Sequence, residues 1–384
     1  MMGLEDTGNI PFRYVYLHGL IRDEKGEKMS KTKGNVLNPL DLMEKYGTDA
    51  LRFAVINGTS PGNDSKLGTD KLEAGQNFAN KLWNATRFVV QSLKPGVDLE
   101  LKRGSLPIED RWILSRLHHT IATVNNMMEN FQFAEAERTI YDFLWGDYCD
   151  WYIELAKIRL RSPAAVSPVP VLVQVLETSL RLLHPFMPFV TEELWQNLKN
   201  SMNSGEISGD SIMIAAYPIS DNSAYDNAAE RVMSLLIDII HAIRNARAEH
   251  KVEMNRWIES RIYAGSLSPA VKPYTEAIQI LGRTRPVTFL DSRPDTKNDN
   301  TLVMVLQEAE VFIPMASMVD AEAERKRLEK EAESSQAEAA RLEARLADQA
   351  FLSKAPPAVV EKERQRLFDI KDRLARLKEQ LVKL

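Results

Sequence analysis

The sequence predicts a mainly α, multi-domain fold in four parts: a mixed α/β segment, a helix bundle, a small α+β module and an antiparallel coiled-coil hairpin. Three observations predict it. Between residues 70 and 250, apolar side chains recur at three- and four-residue steps in one segment after another, with shortish connections, as amphipathic helices of a bundle require. Residues 258–314 switch to short β-branched and aromatic runs. From Leu367 the apolar residues fall at Leu367, Ile370, Leu374, Leu377, Leu381 and Leu384, a strict heptad. The expected boundaries are 1–69, 70–251, 252–318 and 319–384.

In the first part, Tyr14–Ile21 is rich in aromatic and β-branched residues and reads as a buried strand. A lysine-rich loop with Gly26 and Gly34 follows. Asn38-Pro39 starts a short helix, with Asn38 as N-cap, Pro39 at N1 and Asp41 near the positive helix end. That helix ends at Gly47, Thr48 caps a second one over Asp49–Asn57, and Gly58 follows it in the C′ role. GTSPGNDSKLG is a loop on turn chemistry alone.

The bundle helices are expected over Lys71–Ser92, Ile108–Met128, Phe133–Leu160, Val169–Leu183, Pro188–Leu198 and Asn227–Lys251. Trp83 and Trp195 read as core. Trp145, Tyr148, Trp151 and Tyr152 also read as core rather than as base-stacking aromatics, and Cys149 among them as a buried small hydrophobe. Strands are expected at Ser260–Tyr263, Val287–Leu290, Leu302–Leu306 and Val311–Ile313, with a helix over Pro269–Leu281. In the last part, Leu328, Ala332, Ser335, Ala339, Leu342 and Leu346 form a second heptad run, separated from the first by Ser353–Pro357, which breaks a helix. Residues 320–350 hold 9 acids and 6 bases and residues 357–384 hold 5 acids and 8 bases, so the two arms attract.

Composition limits the function classes. With 384 residues, 44% hydrophobic and 27% charged, the chain can build two or three cored domains and is not a disordered polymer. A formal charge of −5 excludes a histone-like polycation, so any nucleic acid must be met by local basic patches. The single cysteine excludes an internal disulfide framework and a cysteine-rich zinc site, and fits a reducing cytoplasm. No run of 18 apolar residues is present and no membrane contact is expected.

The chemistry concentrates in Lys28-Met29-Ser30-Lys31-Thr32-Lys33-Gly34-Asn35. Three ammonium groups on flexible stems, two hydroxyls and a glycine can follow and neutralise phosphate charge. On composition alone a solvated basic turn fits equally well, and neither a P-loop nor a GxGxxG fingerprint is present. A second basic element is the helix Asn227–Lys251, where His241, Arg244, Arg247 and Lys251 fall within roughly 120° of one another beside an apolar face. That stripe suits an RNA backbone, or simply solvent. In the last helix, Arg364, Arg366, Lys371, Arg373, Arg376 and Lys378 offer further cations with the same two readings.

KMSKT followed by KGNVLNPLDLMEKYGTDALRF resembles the second signature, KMSKS, of class I aminoacyl-tRNA synthetases, and NFANKLWNATRFV extends the match to the valyl, isoleucyl and leucyl subgroup. MMGLEDTGNIPFRYVYLHGLIRD, GTSPGNDSKLG and FLSKAPPAVVEKER are similar to the valyl-tRNA synthetases in particular. The isoleucyl enzymes are the alternative within the class, and a stand-alone tRNA-binding module or a coiled-coil interaction protein the alternatives outside it.

The resemblance implies a partial Rossmann-like α/β segment, an anticodon-binding bundle and a coiled-coil tRNA clamp. It implies ATP, with Mg2+ accompanying it, as substrate, and L-valine and tRNA(Val) as the other partners of a cytoplasmic monomer. It makes Lys31 and Lys28 catalytic, and assigns ATP binding to Lys28, Met29, Ser30 and Lys31. Arg244, Arg247, Lys251, Arg364, Arg373 and Arg376 become candidates for tRNA contact. Thr32 replaces a serine and Asn38 an aspartate, and both keep the needed group. None of the six histidines lies in a HIGH-type first signature, so the expectation is the C-terminal part of a longer enzyme, inactive alone and without an editing domain. No bound metal is expected.

Overall fold

The computed structural model describes residues 2–94, 96, 98–101, 103–162, 165–202, 207, 209–294, 300–318, 321–348 and 357–383. They fall into two units, residues 1–237 and 238–384, with the division inside one helix.

The first unit opens with α1 (Met2–Thr7) and an irregular stretch leading to β1 (Ile21–Arg22), which pairs in parallel with β2 (Ser65–Lys66). The buried strand expected over Tyr14–Ile21 does not form. A strand needs ladder partners, and among the described residues β1 finds only the two residues of β2 and one antiparallel bridge from Arg22 to Lys28. Tyr14 and Tyr16 instead rest on aromatic rings of the bundle, Tyr14 on Phe131 and Tyr16 on Phe133, each pair at 5.6 Å. Between the strands, α2 (Pro39–Tyr46) begins as the sequence predicts, with the Asn38 side chain accepting from Leu40 N at 3.2 Å. Then α3 (Thr48–Ile56) follows directly, so Thr48 is its first residue and not its cap. Gly47, at φ 94°, makes the turn that lets the two helices meet.

The bundle comprises α4 (Thr69–Ser92), α5 (Ile108–Glu129), α6 (Phe133–Asp142), α7 (Ile153–Arg159), α8 (Val169–Leu183), α9 (Pro188–Asn200) and α10 (Asn227–Glu249). The helix expected over Phe133–Leu160 is continuous but π-helical from Phe143 to Tyr152, which brings Phe143, Leu144, Tyr148, Cys149, Trp151 and Tyr152 into the core. The buried hydroxyls find partners. Tyr148 donates to Leu172 O at 2.8 Å and Tyr152 to Asp110 Oδ1 at 2.7 Å. Asp110 is in turn held by Arg159 at 2.8 Å, and the same guanidinium reaches Glu109 at 2.6 Å. Trp195 is fully buried, as expected, but Trp83 is 46% exposed. On α4 the buried stripe runs Leu72, Phe78, Leu82, Ala85, Val89, and Trp83 lies one residue past it, about 100° round, with Asn80 and Arg87.

Helix α3 is joined to the bundle by polar contacts as well as apolar ones. The Asp49 carboxylate accepts from Phe189 N and Val190 N, at 3.4 and 2.5 Å, capping α9, whose first residue Pro188 has no N–H to offer. Arg52 donates to Pro185 O and Phe186 O. Gly75 lets α4 pass close to α3: a Cβ there would meet Ala50 O at 2.8 Å.

The second unit holds an α+β module and the hairpin. In the module, β3 (Ile258–Tyr263), β4 (Thr284–Phe289), β5 (Thr301–Val305) and β6 (Glu310–Pro314) form one sheet in the order β4-β3-β6-β5. The β3–β4 pair is parallel and the other two pairs are antiparallel. The expected Pro269–Leu281 helix is split into α11 (Ser268–Val271) and α12 (Thr275–Gly282), and α13 (Met315–Met318) follows the sheet. Helices α14 (Ala321–Ala347) and α15 (Pro357–Lys383) pack antiparallel. Their seam is the predicted one where side chains are described. Ala332, Ser335, Ala339 and Leu342 are buried on one arm, and Leu377 is buried on the other. Glu338–Arg366 at 2.7 Å, Arg345–Glu363 at 3.2 Å and Glu331–Arg373 cross between the arms. The breaking turn lies outside the described residues, apart from Pro357, where α15 starts.

Candidate functional site

The lysine loop is built on a turn. Asp23 accepts from Glu27 N through its side chain (2.6 Å) and from Gly26 N through its carbonyl (2.9 Å), with Gly26 at φ 82°. Its other carboxylate oxygen accepts from Asn35 Nδ2 at 2.8 Å. Asn35 is the hub: Nδ2 also donates to Lys28 O at 3.3 Å, and Oδ1 accepts from Ser30 N at 2.9 Å. Both ends of the loop are therefore tied to one amide. The Asn35 hydrogen bond is the main reason the Asp23 carboxyl is held below its ordinary range. Sequence reading placed Asn35 in the motif without giving it this role, because the role depends on Asp23 standing opposite it.

Within the loop, Ser30 and Thr32 share a hydroxyl contact at 2.9 Å, and Ser30 Oγ accepts from Lys33 N at 3.2 Å. Gly34, at φ 70°, closes the turn. The three lysines differ. Lys33 pairs with Glu27 at 3.0 Å, whereas Lys28 and Lys31 are exposed and form no ion pair among the described residues. These are the two lysines singled out from the sequence, with Ser30 and Met29 half-buried between them. Behind the loop, Asp64 accepts from Leu20 N at 2.8 Å and Arg22 Nε at 2.5 Å, fixing β1 to the segment after α3. Gly19 permits that contact, since a Cβ there would lie 1.7 Å from Asn63 O. A separate cavity of about 830 Å3 opens between α8 and α9, which contribute Gln174, Glu177, Arg181 and Trp195, and the connecting segments that contribute Leu99 and Ile214, and no residue of the lysine loop lines it.

The six arginine and lysine candidates are placed unequally. Arg247 is buried, donating to Glu253 O and Arg256 O at 2.8 Å and to Arg283 O at 3.3 Å. Its guanidinium organises the chain after α10. Arg244 is exposed and donates through Nε to Leu281 O at 2.8 Å. Lys251 is exposed at φ 51°, just past the helix. On α15, Arg364 lies 3.8 Å from Glu361, Arg376 2.6 Å from Asp372, and Arg373 bonds Glu331 of the opposite arm. All three are more than 60% exposed at the side chain, so these pairs are solvent-screened.

Three family profiles match the chain in succession. Residues 1–68 match class I tRNA synthetases (I, L, M and V), residues 110–262 the anticodon-binding domain of tRNA ligase, and residues 320–384 the valyl tRNA synthetase tRNA binding arm. A valine–tRNA ligase of Dehalococcoides mccartyi is 53% identical over 98% of this chain and 43% of its own length. Those of Symbiobacterium thermophilum and Thermotoga maritima are each 39% identical, over 99% and 98% of this chain and 44% and 42% of their own. The chain belongs to the valyl-tRNA synthetase family. It spans less than half the length of the relatives it matches. The resemblance read from KMSKT and its flanks is borne out. In this valyl-tRNA synthetase family chain, the class I match contains the Asn35-pinned loop, the anticodon-binding match runs from α5 through β3, and the arm match is the α14–α15 hairpin. No helix among the described residues is long and apolar enough to cross a membrane.

Proposed function

We propose that this chain supplies the ATP-closing loop and the tRNA grip of a valine–tRNA ligase, which activates L-valine with ATP and transfers it to tRNA(Val). The valine carboxylate attacks the α-phosphorus of ATP, pyrophosphate leaves, and the activated valine passes to the tRNA 3′ end with release of AMP. Negative charge grows on the departing pyrophosphate. Lys31 and Lys28 are the ammonium groups available to meet it, because neither is neutralised by a carboxylate among the described residues. Ser30 and Met29 set their spacing, and Mg2+ enters with the triphosphate. The single observation that carries this reading is the Asn35 hub, which presents two uncompensated lysines on one loop.

For tRNA, the reading rests on the two tRNA-related profile matches and on the exposed cations Arg244, Lys251, Arg364, Arg373 and Arg376. Arg247 belongs to the scaffold beneath them. The protein acts as a monomer in the cytoplasm, and its single cysteine, free and buried, fits the reducing compartment. In a polypeptide carrying the complete catalytic region, Lys31→Ala is expected to lower the activation rate on the order of a hundredfold with little change in valine affinity. Equal losses in both would sink the role given to Lys31. The 384-residue chain itself is expected to bind tRNA(Val) in a salt-sensitive way, more weakly after deletion of 319–384. Unchanged affinity in the deletion would remove the hairpin from the grip.

A further inference from the structure

One end of the α+β module gathers positive charge around an open aromatic ring. Trp257 stands just before β3 and is 41% exposed. The Arg283 guanidinium lies over its ring at 5.5 Å from the centroid, and that of Arg285 at 5.0 Å. The strand register explains the gathering. Ile258 pairs with Thr284 in the parallel β3–β4 ladder, so the residue before one strand and those flanking Thr284 on the other are neighbours. The buried Arg247 guanidinium is close by, donating to Arg283 O, and its hold on its proton is weakened by burial and by the charge of Arg283.

Nothing among the described residues offsets these charges. Arg283 and Arg285 are exposed and form no ion pair there. Residues 251–286 carry six basic and three acidic residues in a chain whose net charge is −5. The backbone adds a second sign. Arg283 ends α12 in the left-handed region, at φ 53° and ψ 51°, a position where helices favour glycine. A non-glycine residue there is held against a local preference, which is common where a side chain must be presented.

We propose that Trp257, Arg283 and Arg285 form a contact for an unpaired nucleotide of the bound RNA, the open indole taking the base and the two guanidinium groups the adjoining phosphates. A nucleotide unites a π-face and a phosphate in one unit, which this pairing of ring and cations matches. Arginine stacked on an aromatic ring keeps N–H donors at its rim for phosphate oxygens. The proposal rests on the tRNA-binding reading above and extends it. Arg283 and Arg285 lie between the anticodon-binding match, which ends at 262, and the arm match, which begins at 320.

The test titrates the full 384-residue chain with transcribed tRNA(Val) over a series of salt concentrations. Trp257→Ala is expected to weaken binding about 5- to 100-fold, and Trp257→Phe to keep most of the affinity. The Arg283→Ala/Arg285→Ala double variant should flatten the slope of log K against log salt by about 1.4 to 1.8. The phenylalanine and arginine variants decide the matter if the alanine variant does not fold. Wild-type affinity in Trp257→Ala, equal loss in the alanine and phenylalanine variants, or an unchanged salt slope would overturn the proposal. If those results come with firm wild-type binding, the tRNA reading stands without this contact. A wild-type chain that binds no tRNA overturns both.

Discussion

Asn35, Arg159 and Glu137 show how single side chains set what the first unit can do. Asn35 holds the lysine loop by three hydrogen bonds, so Asn35→Ala should free the Ser30 amide. Hydrogen exchange at Ser30 is expected to speed up about tenfold, the worth of one lost hydrogen bond. Unchanged exchange would mean that the loop is held elsewhere. Arg159 neutralises Glu109 and Asp110 inside the bundle, where burial already pushes the Asp110 carboxyl upward. Removing one partner of a buried ion pair is costly, and Arg159→Met should destabilise the chain by about 3–5 kcal/mol in chemical denaturation. Glu137 is fully buried with both carboxylate oxygens unpartnered, and burial pushes it up to about 9. The folded state therefore holds a proton that the unfolded state releases above the ordinary 4.5. Stability from this group is present below that value and is lost as pH rises toward 9. Glu137→Gln should match wild type near pH 5 and gain on it by about 1.4 kcal/mol per pH unit above, read from melts at successive pH values. A gap that stays constant with pH would refute the assignment. Lys28 and Lys31 were legible in the sequence because the motif itself names them. The difference between Arg244 and Arg247 was not, since helical spacing places both on one stripe and says nothing of the carbonyls that α10 meets beyond its end.

Among the elements, the amphipathic helices were legible almost to the residue, because a 3.6-residue period leaves one apolar stripe and each helix supplies its own hydrogen bonds. Val169–Leu183 agrees at both ends. The π-helical stretch was not legible, since Phe143–Tyr152 is apolar nearly all round and its pattern does not choose between periods. Strands depend on partners elsewhere in the chain. Those of the α+β module were readable because all four meet in one sheet, and Tyr14–Ile21 was misread because so little pairs with it. Gly75 shows the packing between elements most directly. With Ala50 O only 2.8 Å from a built Cβ, Gly75→Ala must push α3 and α4 apart. A loss of about 1–3 kcal/mol in stability is expected, despite the better helix propensity of alanine. A stabilised Gly75→Ala variant would show that the two helices part without strain.

At the scale of the whole chain, segments that match catalytic, anticodon-binding and tRNA-arm families follow one another along a single polypeptide. The division into segments was legible because each has its own periodicity, while the family of each was implied only by the resemblance of KMSKT and its flanks. The hairpin seam described above has one more consequence. On α14 it is made largely of Ala332, Ser335 and Ala339 rather than leucines. Each missing methylene forgoes about 0.8 kcal/mol of burial, and the crossing ion pairs add at most about 1 kcal/mol apiece. The hairpin is thus a thin rod with little cohesion of its own, while the bundle is dense with buried leucine, tryptophan and tyrosine. Heating should take the chain apart in two calorimetric stages, the rod first, and a bound ligand that grips the rod should move only the earlier peak.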